Sequence, residues 1–465
     1  MISNINTQPP KNVVLPNYIP QGCDLAFQLL SKELRKGADA KILVYYDPDI
    51  DGLMAGLLVE TYLEQLGYKN KNYKYYLNRN RTHGFKLSDD ALKTLKGYTI
   101  IAVDFSVEKE DFDRILKAGI NLIVLDHHEI DISKYTKVRT DYVISRSQSQ
   151  DTYGIILNNQ YKYEPEEFRF LSGAGVVYYF LKYVEAQIHV PVFVDAPAMV
   201  GISLLSDIRA IESSEARSFL KYTFELNSEY MKYLQWVVSD ELMSFQKFSP
   251  FGVPTMNRDF LDFTFAPKMN SLLRADKGED ALNLLRMDKA TIERMRGSKE
   301  ILGARDNQKK IIAEILREFK EQKDTPGAFS LDNDTLMVCC LTNDFKTSVP
   351  DCNITNYIGV ACSQIKDDDK TGVILVIDKD TYKVIRGSVR GGKDGVDYLS
   401  IFQKNGVPSA GHHNAFGILE CDVRNIDFQK IKADIEVQEA EFLKHSKNTR
   451  SVLIIKHYLS YLYLC

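Results

Sequence analysis

The sequence predicts an α/β protein in which a parallel-sheet domain is joined by helices to a smaller α/β domain. Three observations carry this. Short apolar runs at Ile42–Tyr46, Thr99–Val103 and Ile120–Leu125 are separated by helix-like patterns. Runs of that length, apolar on both faces, suit strands of a parallel sheet covered on either side. Each run ends in acids: Asp47, Asp49 and Asp51, then Asp104, then Asp126 followed by His127 and His128. A second set of apolar runs begins near Leu336 and closes near residue 420.

At 465 residues the chain is long enough for two or three domains with cores of their own. The sequence divides into an N-terminal arm (1–20), a first domain (21–255), a helical connector (256–325), a second domain (326–430) and a C-terminal helix or tail (431–465). The net charge of −4 gives no global basic signature, so any nucleic-acid surface must be local. The seven cysteines form no CxxC pair, which suits a reducing cytoplasm. No run approaches 18 apolar residues and the first 20 are polar and Pro-rich, so neither a membrane span nor a signal peptide is expected.

In order, residues 24–36 have helical periodicity and the opening strand follows with its acids. A helix is expected over about 53–66, ended by Gly67. The next segment, YKYYLNRNRTHGFKLS, starts β-like and turns into a basic loop with Arg79, Arg81 and His83. Residues 131–165 read as a long irregular loop. The apolar stretches 170–184 and 196–211 read as helices, the second closing near Asp207. Residues 212–250 and 257–325 continue as helices. The apolar C-terminal stretch, interrupted by Lys456 and His457, reads as a packed strand or helix.

Ligands bind beyond the carboxyl ends of parallel strands, and all three acid clusters fall at that edge. Asp49, Asp51, Asp104, His127 and Asp207 together form a carboxylate-rich set with an imidazole, which suits Mn²⁺ or Mg²⁺. The carboxylates are numerous enough for two ions, an arrangement that suits in-line phosphoryl displacement. GSVRGG and GHHNAFG, with Arg390, His412 and His413, read either as a phosphate cradle or as tight turns around a hairpin. Arg79 and Arg81 read either as phosphate contacts or as a solvated loop.

These residues resemble the motifs of the DHH phosphoesterase family, and within it the RecJ-type exonucleases specific for single-stranded DNA. Asp47-Pro48-Asp49-Ile50-Asp51-Gly52 is similar to the first motif, Asp104 to the second, Asp126-His127-His128 to the motif that names the family, and Asp207 to the fourth. Leu77-Asn78-Arg79 with His83-Gly84-Phe85, Ser172-Gly173-Ala174-Gly175-Val176 (Cys-Gly-Ala-Gly-Val in the family) and Ala266-Pro267-Lys268-Met269-Asn270 with Arg274 resemble further family segments. Gly387-Ser388-Val389-Arg390 and Gly411-His412 resemble the DHH-associated domain. Leu272-Leu273 and Ala410 depart from the family pattern.

The resemblance implies a DHH catalytic domain and a DHH-associated domain with a cleft between them. It implies metal ligation by Asp49, Asp51, Asp104, His127 and Asp207, with Asp47 as an auxiliary ligand. Asp126 and His128 would orient water or substrate, with Asp104 also in the catalytic set. Asn78, Arg79, Asn270, Arg274, Ser388, Arg390, His412 and His413 would hold substrate. The implied activity is 5′-to-3′ hydrolysis of single-stranded DNA to nucleoside 5′-monophosphates with two ions, Mn²⁺ first and Mg²⁺ second. A monomer is expected, with a helicase or a single-strand-binding protein as candidate partners, and the compact length suits a phage or prophage form. The competing expectations are a phosphodiesterase of small substrates (short oligonucleotides, adenosine bisphosphate or cyclic dinucleotides) and a non-catalytic replication or repair scaffold.

Overall fold

A computed structural model describes residues 13–68, 73–78, 85, 87–135, 142–207, 213–225, 258, 261, 265–286, 299–322, 331–366, 370–393 and 395–442. The chain divides into two compact units, Met1–Leu302 and Gly303–Cys465.

The first unit runs α1 (Cys23–Leu34), β1 (Ile42–Tyr46), α2 (Ile50–Gln65), β2 (Tyr73–Leu77), α3 (Asp89–Thr94), β3 (Thr99–Val103), α4 (Lys109–Lys117), β4 (Asn121–Asp126), β5 (Ile144–Ser147) and β6 (Thr152–Asn158). Five more described helices follow: α5 (Gly173–Ile188), α6 (Ala196–Ser206), α7 (Ser214–Glu225), α8 (Ala266–Arg274) and α9 (Gly278–Arg286). The sheet order is β2-β1-β3-β4-β6-β5. Every pairing is parallel except β5 with β6 at the edge. Alternation along each strand divides the core. Leu43, Tyr45, Ile100, Ala102, Leu122 and Val124 face a cluster with Phe112, Ile115 and Leu116 of α4. The opposite face is covered by α2 and α5.

The sequence reading starts α2 three residues late. Every residue from Ile50 to Leu63 is buried, so the helix has no polar face to mark its period. A Cβ at Gly56 would enter the Tyr46 ring, and one at Gly52 would enter the Asp47 backbone. These two glycines let α2 press against the strand that carries the acids. The expected loop over 131–165 instead holds β5 and β6. The apolar part of β6 is short and begins inside a polar stretch, which hides its signal. The arm is not loose over its last residues: Tyr18 stacks on Phe168 at 4.1 Å and donates to Glu164, and Tyr179 donates to the Pro16 carbonyl.

In the second unit, α10 (Lys299–Gln322), which begins at the unit boundary, leads to β7 (Leu331–Asp332), β8 (Leu336–Thr342), α11 (Ile358–Ile365), β9 (Thr371–Ile377), β10 (Val384–Arg390), α12 (Tyr398–Lys404), β11 (Ser409–His412) and β12 (Ala415–Ile418). Residues 428–442 are helical. The sheet order is β11-β12-β10-β9-β8-β7, and only β8 with β9 is parallel. One face packs on Ile311, Ile315 and Phe319 of α10 and on α11. The other packs on α12 and on Ile431 and Ile435. The stretch expected as a connector over 256–325 therefore divides: α8 and α9 belong to the first unit, and α10 from Gly303 onward to the second. The C-terminal stretch from 443 lies outside the described residues.

Candidate metal centre

The adjacent parallel strands β1, β3 and β4 end side by side, and the chain places acids at each end. Asp47 follows β1, Asp104 follows β3 and Asp126 closes β4. Asp49 is the N-cap of α2, its side chain accepting from Gly52 N at 2.9 Å. Asp51, in the first turn, is nearly buried. Its Oδ2 accepts from Gly173 N at 2.7 Å, and its Oδ1 from Ala174 N at 2.8 Å and the Ser203 hydroxyl at 2.6 Å. The amide end of α5 thus meets a carboxylate where the helix dipole favours one. Asp104 has φ 63°, a left-handed conformation that Asp tolerates better than most residues. Gly173 passes so close that a Cβ there would lie 2.7 Å from Asp104 Oδ1.

His127 is the hub. Its Nε2 lies 3.1 Å from Asp104 Oδ1 and 3.6 Å from Asp51 Oδ2, and its Nδ1 lies 3.8 Å from Asp207 Oδ2. Asp207 is the C-cap of α6. His128 Nδ1 sits 2.7 Å from Asp126 Oδ1. Three groups each bring their ligand atoms within 4.8 Å of one another: Asp104, His127 and His128; Asp51, His127 and Asp207; and Asp47, Asp49 and Asp104.

The electrostatics call for a cation. Burial, then the nearby Asp51, Asp49, Asp47 and Asp126, holds the Asp104 carboxyl well above the usual carboxylate range. Asp104 Oδ1 is buried and meets no well-aligned hydrogen-bond donor among the described residues; its near polar neighbour is His127 Nε2 at 3.1 Å. A hard divalent ion would relieve both conditions, and this oxygen-rich set with one imidazole suits Mn²⁺ or Mg²⁺. The Asp126–His128 pair behaves differently. Burial alone would lower the imidazole pKa, but Asp126 outweighs it and lifts His128 to about 9. Burial would raise Asp126, and His128 more than reverses that, leaving it below its ordinary value.

The substrate-binding candidates are less gathered. Asn78 is buried after β2, and its backbone N–H donates to the Tyr46 carbonyl. It lines a cavity of about 300 Å³ with Pro48, Leu77, Leu273 and Lys277, next to the first acid cluster. Asn270 and Arg274 are half-buried on α8. In the second unit Arg390 Nη1 donates to Ser388 Oγ at 3.0 Å, and His413 is exposed 3.4 Å from Asp397. Gly411-His412 and Ala415-Phe416 form the β11–β12 hairpin expected as the bland alternative there. Arg79, Arg81, His83 and the His412 side chain lie outside the described residues.

Two anchors escape the sequence reading. Asn158, fully buried at the end of β6, donates to the His128 carbonyl at 2.9 Å, and its amide is 3.5 Å from Asp126 Oδ2. Its signal went with the unrecognised strand. Ser203 reaches Asp51 across 152 residues of chain. Its signal is a hydroxyl inside the apolar run of a helix whose other hydroxyl, Ser206, is its last residue.

Residues 41–202 match the model of the DHH family, N-terminal domain. That segment holds Asp47, Asp49, Asp51, Asp104, Asp126, His127 and His128, with Asp207 just past its end. Over 441 residues the chain is 21% identical to YorK of Bacillus subtilis (strain 168), covering 90% of this chain and 70% of that protein. YorK is provisionally named as an SPbeta prophage-derived single-strand DNA-specific exonuclease, and a Bacillus phage SPbeta protein matches equally. The fold of this chain is similar to RecJ from Thermus thermophilus in complex with Mn²⁺, with a TM-score of 0.63 at 18% identity over 91% of this chain. The chain spans 56% of that RecJ's length. It spans 96% of a second exonuclease RecJ bound to manganese, with a TM-score of 0.62 at 16% identity. The architecture is RecJ-like.

Proposed function

We propose that this chain is a metal-dependent exonuclease that hydrolyses single-stranded DNA from the 5′ end and releases nucleoside 5′-monophosphates. One observation carries the reading. Next to and within a segment that matches the DHH family model, Asp51, Asp104, His127 and Asp207 converge with Asp47 and Asp49 at the carboxyl edge of a parallel sheet, crowding carboxylates around a buried oxygen that no well-aligned donor meets. The likeness to YorK and to RecJ supports DNA as the substrate.

Asp47, Asp49, Asp51, Asp104, His127 and Asp207 would hold two ions, Mn²⁺ by preference and Mg²⁺ second. Bound there, the ions supply charge against the phosphodiester and make water nucleophilic at neutral pH. The chain's own residues do the rest. Asp126 keeps the proton on His128, which is then placed to donate to a phosphate oxygen. Asn158 holds the His128 backbone and approaches Asp126, fixing that dyad. Asn78, Arg79, Asn270 and Arg274 on the first unit, and Ser388, Arg390, His412 and His413 on the second, offer donors to phosphates. Binding through such contacts weakens as salt rises.

The test is hydrolysis of a 5′-labelled single strand, its duplex and a dinucleotide, with Mn²⁺, Mg²⁺ or EDTA. Labelled mononucleotide released from the single strand, lost with EDTA and lost in Asp104→Asn and His127→Ala, is expected. Cleavage of the dinucleotide alone would place the protein among small-substrate phosphodiesterases. Activity that survives EDTA and both substitutions would overturn the metal mechanism.

A further inference from the structure

Ser203 touches two of the acids that surround His127, and by different means. Its hydroxyl lies 2.6 Å from Asp51 Oδ1. Its backbone carbonyl accepts from Asp207 N at 3.1 Å and from the Ser206 hydroxyl at 2.7 Å. Asp51 and Asp207 are the carboxylates that group with His127 as one candidate ligand set. One residue of α6 therefore joins Gly173 N and Ala174 N in holding the first carboxylate, and its carbonyl helps close the last helical turn, whose C-cap is the second.

The hydroxyl has a partner of its own. Ser203 Oγ and Ser172 Oγ are 2.5 Å apart, both fully buried. Ser172 is the N-cap of α5, and its Oγ already accepts from Gly175 N. A hydroxyl carries one proton. Ser203 is placed as donor to both partners, so its one proton is divided between Asp51 Oδ1 and Ser172 Oγ, and the two acceptors together hold its rotamer. Elsewhere in α6 the buried residues from Ala196 to Leu204 are apolar or glycine, and the other hydroxyl of the helix, Ser206, bonds back to the Ser203 carbonyl. A buried hydroxyl is retained at a cost unless it is hydrogen-bonded, and here one bond leads to Asp51 and the other to the Ser172 N-cap.

We propose that Ser203 is the positioning residue of the metal seat, and that Ser172 orients it. The pair holds Asp51 against α5 so that its remaining lone pairs face His127 and Asp207, and it sets how tightly that group takes a divalent ion. This deepens the metal-dependent reading above and rests on it. Outer partners that orient a ligand typically change metal affinity about 10- to 100-fold when removed.

The test is Mn²⁺ binding to the EDTA-treated, dialysed full chain, read by isothermal titration calorimetry and by the Mn²⁺ electron paramagnetic resonance signal. Ser203→Ala is expected to weaken Mn²⁺ binding about 10-fold or more. Ser203→Thr, which keeps the hydroxyl, restores affinity. Ser172→Ala, which leaves Ser203 in place, weakens binding by less. The metal-free melting temperature of each variant separates lost positioning from lost folding. Wild type that takes up no Mn²⁺ would sink the metal reading itself. Wild type that binds while Ser203→Ala and Ser172→Ala bind with equal affinity would sink this inference alone. If Ser203→Ala does not fold, Ser172→Ala decides, and affinity equal to wild type in that variant overturns the proposal.

Discussion

Single residues in the centre act through proton and charge balance. Asp104 is held in a left-handed conformation against Gly173, so Asn is the replacement that keeps shape and backbone while removing charge. His128 makes a sharper prediction. Its folded pKa of about 9 lies above its ordinary 6.5. A raised imidazole stabilises the fold fully below the unfolded pKa and loses that contribution as pH climbs through the folded one. The partner Asp126 is lowered, so its contribution is present above the ordinary carboxylate range and is lost only in acid. In the presence of EDTA, the melting temperature should therefore fall as pH rises from 6.5 through about 9. His128→Asn should flatten that dependence. An identical slope in the variant would show that the pair does not govern it.

Elements in the first unit are held in place by a few buried polar contacts. Glu60, in the buried stretch of α2, meets Arg286 at the end of α9 at 2.5 Å, and Tyr75 of β2 lies under the guanidinium at 4.1 Å. That contact pins α9, and with it α8 carrying Asn270 and Arg274, to the elements that carry the acids. Removing one partner of a buried ion pair typically costs about 3–5 kcal/mol, because the other charge stays buried. Arg286→Ala should lose that much in urea unfolding of the metal-free protein, whereas Glu60→Gln with Arg286→Met should recover most of it. A loss under about 1 kcal/mol in Arg286→Ala would mean the pair is spanned by solvent.

The same elements show what the sequence makes legible. Strands β1, β3 and β4 are uniformly apolar and end in acids, so the sheet edge and its cluster read out directly. β6 does not: a short apolar run inside a polar stretch is paired only because β4 leaves its far edge open. Asn158 went unseen with it. The start of α2 is obscured for the opposite reason, burial on every side. Ser203 is legible only as an anomaly, a hydroxyl inside an apolar run, because what it bonds lies 152 residues away.

At the scale of the whole molecule, the candidate ligands run from Asp47 to Asp207 and all lie in one of two compact units. The second unit has its own mixed sheet and its own cores, and none of its described residues joins a candidate metal group.

The bond between Asp51 and Gly173, 122 residues apart, also has a kinetic side. Loops that long close late, after local helices and neighbouring strands have formed. An ion that needs Asp51, Asp104, His127 and Asp207 together finds no complete seat in a half-folded chain. It should hold the native state without hastening its formation. At a free Mn²⁺ concentration about 100 times Kd the ion adds about 2.7 kcal/mol, and almost all of that should appear as an unfolding rate about 100-fold lower. Stopped-flow refolding with and without Mn²⁺ should agree within roughly twofold. If refolding instead speeds up while unfolding hardly slows, the ion is bound in the folding transition state, and the centre forms early rather than last.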